Sequence, residues 1–165
     1  MGKNVVNAPD SIARTELDSH AMSPVVGYNA YVWRTTGKTI DVAPFVATLG
    51  KLNKTPVVDA MVHFQCPFSH REYILIIHNA LYVPELQHNL IPPFLLREAG
   101  IIVNECPKIQ TDHPSIEDHS LYFEEDDLRI HLGLQGIFSY FSTKYPTPDE
   151  IQNLTRLSLT PERDV

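Results

Sequence analysis

VVDAMVHFQCPFSHREYILIIHNALYV, residues 57–83, decides how this chain is to be read. Two runs rich in Val, Ile, Phe and Tyr flank CPFSH (66–70), whose proline and polar residues suit a turn, so the stretch predicts a β-hairpin. Within it YILIIH (73–78) is apolar without alternation, the pattern of a strand buried on both faces. This hairpin is therefore expected at the centre of a β-rich core.

On the N-terminal side, VVGYNAYVWRTTGKTIDV (25–42) is rich in β-formers and contains Gly27 and Gly37, which predicts two or three more strands. PFVATLGKLNKTP (44–56) mixes apolar residues, Gly50 and two lysines between prolines, as a mobile projecting hairpin or loop does. On the C-terminal side, FLLREAG (94–100) carries helix formers after a double proline and stops at a glycine, so a short helix is expected there. SLYF (120–123), LRIHLGL (128–134) and GIFSYF (136–141) are short β-like runs separated by acidic or glycine turns. Residues 1–12 are polar and read as a flexible segment, and 149–165 as a tail with a helical turn or two.

With 165 residues, 43% hydrophobic and 20% charged, the chain suits one globular domain, and its 13 prolines disfavour long helices. A net charge of -7 removes the basic footprint that nucleic acid or an anionic membrane would require. No apolar run approaches the ~20 residues of a membrane span, and MGKNVVNAPD lacks the apolar core of a signal peptide. Cys66 and Cys106 stand outside any CxxC spacing, which suits reduced thiols. A cytoplasmic protein, with neither membrane nor nucleic-acid partner, is the expectation.

Candidate chemistry narrows quickly. Eight histidines include no His-x-x-x-His pair, so spacing does not support a metal centre. Asp18 and His20 would share one face of a strand and could hold a metal with a third ligand from elsewhere, but no ligand set accompanies them. No metal or cofactor is expected. The chain contains no G-x-S-x-G elbow and no G-x-G-x-x-G or Walker loop. What remains is ELDSHAMSPVVG (16–27): a carboxylate on a tight loop after an apolar residue, with a hydroxyl beside it and Ala21 third beyond. An aspartic protease needs that arrangement, with two such aspartates sharing one proton because like charges about 3 Å apart cannot both ionise.

ELDSHA (16–21), then ALYVP (80–84), HNLI (88–91) and LLREAG (95–100) in that order, and finally GIFSYFSTKYPT (136–147), together resemble the protease segment of copia-type retrotransposon polyproteins. The likeness is strongest to algal and protist elements with D-S-H-A in place of D-S/T-G-A, and it spans residues 13–148. It implies a mostly β, retropepsin-like closed barrel with one short helix and extra C-terminal strands. It also implies an aspartic endopeptidase that processes a polyprotein as a homodimer, one Asp18 per chain. Ser19 would brace the two catalytic loops, and His20, Ala21, Met22 and Ile91 would lie at the substrate. Leu49 and Gly50 would sit in the flap that closes over the peptide.

Three positions depart from the family pattern: His20 stands where glycine is usual, Met22 where a carboxylate grips substrate, and Pro93 where an arginine pairs with that carboxylate. Losing both ends of an ion pair avoids stranding one buried charge. The competing expectation is a catalytically inactive, protease-like binding or assembly module. A metal-binding protein built on Asp18 and His20 is a third.

Overall fold

The computed structural model describes residues 13–42, 52–105 and 119–162. β1 (Ala13–Leu17) leads through a loop to the short β2 (Val25–Val26), followed by the long strands β3 (Tyr31–Val42) and β4 (Leu52–Gln65). Next come β5 (Glu72–Tyr82), β6 (Asn89–Ile91) and helix α1 (Pro93–Glu98). β7 (Ile102–Glu105), β8 (His119–Phe123), β9 (Leu128–His131), β10 (Gly133–Gln135) and β11 (Phe138–Thr143) then precede helix α2 (Pro148–Asn153) and β12 (Thr155–Ser158). The mostly β expectation holds. The segment 1–12 expected to be flexible, and Leu49 and Gly50, lie outside the described residues.

The hairpin read from residues 57–83 is β4 and β5, antiparallel from Val57 opposite Leu81 to Gln65 opposite Glu72. Its turn is closed by Cys66 N–H to Arg71 O (2.8 Å) and His70 N–H to Cys66 O (2.9 Å). The other edge of β5 is divided between two parallel partners: β12 beside Tyr73–Ile76 and β2 beside Leu81–Tyr82. Both faces of β5 are covered. Leu75 and Ile77 enter the main core with Val58, Ala60, Val62, Leu96 and Phe141. Ile74 and Ile76 pack with Met61 on the opposite face, where Trp33, Ile151 and Leu154 cover them. Burying each such side chain contributes about 1.5–3 kcal/mol, which is why an unbroken apolar run is stable here.

Two details differ from the expected architecture. Nine strands form one open sheet, in the order β10-β11-β1-β6-β2-β5-β4-β3 with β12 attached to β5, and β7-β8-β9 form a separate sheet. No closed barrel exists among the described residues. Closure requires the two terminal strands to pair, and β10, only three residues long, pairs with β11 alone. There is also a second short helix, beyond the one that the resemblance implies and where the tail was read as a helical turn or two. α2 opens with a capping box, Thr147 Oγ1 accepting from Glu150 N–H and Glu150 Oε1 from Thr147 N–H. The described part of the expected tail is thus built into the large sheet, with Leu157 and Leu159 buried in its core.

α1 forms where FLLREAG predicted it. Pro93 opens it and Gly100, at φ 91°, ends it, with Ile101 N–H returning to Leu96 O. Cys66 is a buried free thiol, and Cys106 falls outside the described residues. No described helix is long and apolar enough to cross a membrane.

Where β4 slips register between Val58 and Ala60, Asp59 gathers three strands. Its Oδ2 accepts from Arg34 Nε at 2.7 Å and its Oδ1 from Asn79 N–H at 2.9 Å, with His78 Nδ1 3.5 Å away. Arg34 continues to Glu162 beyond β12 (3.0 Å). Burial pushes the Asp59 carboxyl up, but the Arg34 and Asn79 hydrogen bonds, with the nearby charges, outweigh it and hold the group below its ordinary value. A depressed carboxylate stabilises the fold above its unfolded pKa, and that contribution disappears as pH falls through the folded value. Asp59→Asn is therefore expected to cost about 1–3 kcal/mol at neutral pH. Denaturant melts of parent and variant should begin to converge as the pH drops below ~4, the unfolded value, and meet only below the lower folded one.

Candidate functional site

The loop carrying Asp18 leaves β1 beside β6, a strand that the sequence places far away. β1 runs parallel to β6, Leu17 opposite Ile91, and the pairing extends one step further as Asp18 N–H donates to Ile91 O at 3.0 Å. From there the chain turns at once. Ala21 N–H donates to Asp18 O (3.1 Å), while Asp18 Oδ1 accepts from His20 N–H (2.9 Å). This is a tight turn reinforced by its own first side chain, a conformation that Asp and Asn favour.

Beneath the turn lies a buried polar chain across four strands. Gly27 N–H donates to Asn89 Oδ1 (3.0 Å), Asn89 Nδ2 to Thr15 Oγ1 (3.4 Å), and Thr15 Oγ1 meets Thr143 Oγ1 at 2.9 Å. Asn89 and Thr15 are fully buried, so each contact replaces one that water would otherwise make. These bonds tie β2, β6, β1 and β11 together under the loop.

Above the turn a cleft of about 770 Å³ opens, lined predominantly by apolar atoms. Asp18, His20, Ala21 and Met22 form one wall. Val25, Leu81 and Leu90 supply apolar surface, and Phe138 enters from β11. From the β3–β4 hairpin come Ile40 and Asp41. The flap was expected over residues 44–56. The strand leading into that segment reaches the cleft through Ile40 and Asp41, and Leu49 and Gly50 lie outside the described residues.

The expected site is thus partly assembled. Asp18 is half-buried at the cleft, and Met22 is 83% exposed at its rim. Ser19 is exposed on the turn and does not line the cleft. Ile91 corrects the sequence reading: it is fully buried in the main core and touches the site only through its carbonyl. The residue that faces the cleft from β6 is its neighbour Leu90, because alternate side chains of a strand point to opposite faces.

Glu16, on β1 two residues before Asp18, was missed, though an extended chain turns residues at that spacing to one side. It lines the cleft and holds Arg14 through Oε2, 3.2 Å from Nε and 3.1 Å from Nη2, while Arg14 N–H donates to His88 Nδ1 at 3.1 Å. Asp41 accepts from Lys54 N–H (2.7 Å). The metal reading of Asp18 and His20 finds no support, because among the described residues no third His, Cys, Asp or Glu converges with them. Compared with known proteins, the chain matches no family model, no curated protein and no solved structure.

Gly27, just after β2, packs closely against the backbone of Leu86. A Cβ there would stand 2.0 Å from Leu86 O, against the loop that carries Leu86, Gln87 and His88 into the cleft. Gly27→Ala is expected to destabilise the fold by about 1–3 kcal/mol through overpacking. Thermal melts would show the loss, and an unchanged Tm would mean that this loop yields freely.

Proposed function

We propose that the chain is an aspartic endopeptidase of retropepsin-like kind, processing a retrotransposon polyprotein as a homodimer with one Asp18 from each copy. The observation that carries this reading is the presentation of Asp18 on a braced tight turn at an apolar cleft, with the stem of a long hairpin on its far side. A peptide lying in such a cleft would set apolar side chains against Val25, Leu81 and Leu90.

The second carboxylate has to come from another copy. Asp59, another aspartate followed by a small residue, is committed to Arg34 and Asn79 and is far from free to bind water. Glu16 is held by Arg14. Two Asp18 groups sharing one proton would activate a water. The ionised carboxylate takes a proton from that water as its oxygen attacks the peptide carbonyl carbon, and the protonated one donates to the carbonyl oxygen. Collapse of the resulting diol then returns a proton to the departing amine. His20, in the cleft wall, would put a ring close to the substrate backbone where the family pattern has glycine.

One observation favours a second reading, a binding or assembly module without catalysis: Asp18 Oδ1 already serves the turn by accepting from His20 N–H. Asp18→Asn separates the two, because asparagine can form the same turn but cannot complete a dyad. Peptide cleavage at acidic to mildly acidic pH is expected to fall about 10²- to 10⁴-fold in the variant with an unchanged melting temperature. A transition-state inhibitor of the pepstatin type should stabilise a dimer of the parent in sedimentation or light scattering. Equal cleavage by parent and variant would sink the catalytic role of Asp18, and an inert parent that never dimerises with inhibitor would leave the binding module standing.

A further inference from the structure

Away from the cleft, three elements distant in sequence bring ligand atoms to one point. His63 on β4, Glu72 at the start of β5 and Glu150 on α2 present donor atoms that all lie within 4.8 Å of one another. His63 Nε2 stands 2.7 Å from Glu72 Oε1 and 3.4 Å from Glu150 Oε2. Each is held in place. The His63 backbone pairs with Lys144 through both N–H (2.9 Å) and C=O (3.1 Å), and its side chain is 4% exposed. Thr147 N–H occupies Glu150 Oε1, which leaves Oε2 turned toward the imidazole.

We propose that His63, Glu72 and Glu150 form a binding site for a divalent transition-metal cation of the zinc class. One imidazole nitrogen and two carboxylate oxygens, with water in the fourth position, make a donor set that suits zinc, whereas calcium and magnesium favour oxygen-only shells. Tetrahedral ligands about 2.0–2.1 Å from zinc stand roughly 3.3 Å apart. The His63–Glu150 separation already meets this, and Glu72, 40% exposed, has to withdraw by less than about 1 Å. Lys144 Nζ, 3.4 Å from Glu150 Oε2 and 38% exposed, is free to swing into water as the cation enters. Bound metal would fasten α2 to the β4–β5 hairpin, over the face where Ile151 and Leu154 cover Met61 and Ile74. The site is independent of the protease reading.

The test uses the whole chain, stripped with a chelator and titrated with zinc chloride by calorimetry, with cobalt(II) absorption reporting the coordination geometry. One zinc per chain, tetrahedral cobalt bands and a higher Tm with zinc are expected. Glu72→Gln, and the double variant with Glu150→Gln, should weaken binding at least about tenfold. Glutamine keeps the capping box intact. Absence of stoichiometric zinc binding by the parent would overturn the proposal. Equal affinity in parent and Glu72→Gln would also overturn it, placing the metal on other histidines.

Discussion

β5 has two faces to bury and two edges to pair, and much of the large sheet is a response to that demand. Its run of isoleucines and leucine stays out of water only if one face meets the main core and the other is covered by Trp33 and α2. Its backbone N–H and C=O groups, equally out of water, need partners along both edges. β4 satisfies one edge over its length, but no single strand serves the other. Two short strands, β2 from near the start of the chain and β12 from near its end, divide it between them.

That division has a consequence for the cleft. β2 lies between β5 and β6, Val25 opposite Leu81 on one edge and Leu90 on the other, which carries the sheet on to β1 and β11. The loop between β1 and β2 is therefore stretched between a strand on the far side of β6 and one beside β5. The tight turn at Asp18 is how it spans that gap. Asn89, buried between Gly27 and Thr15, shows what holds the crossing in register: a side chain that both accepts and donates where a hydrocarbon would leave a backbone N–H unpaired.

Much of this was legible locally. The β4–β5 hairpin, α1 ending at Gly100 and the β-runs after residue 119 follow from propensity and turn chemistry, which act over a few residues. Asp18 at the cleft wall was readable from its motif. Ile91 was misassigned because a motif names a neighbourhood whereas strand alternation decides which neighbour faces the cleft, and Leu90 does. Glu16 went unread because a carboxylate beside an arginine two residues away looks like an ordinary surface pair. The closed barrel failed because closure depends on pairing between strands at opposite ends of the sheet order, about which β10 carries no local signal.

The amino-acid sequence by itself determined the β-rich class, the buried central hairpin, the short helix after the double proline and the turn-forming aspartate. These rest on side-chain periodicity, backbone preference and hydrogen bonds between residues close in the chain. Only the tertiary structure decided that the C-terminal segment covers β5, that Asp59 is spent on Arg34 and Asn79, and that His63, Glu72 and Glu150 converge. Each of those joins residues from separate elements. Their meeting depends on which strand edges must be paired and which apolar faces must be covered, and that demand is settled only when the whole sheet assembles.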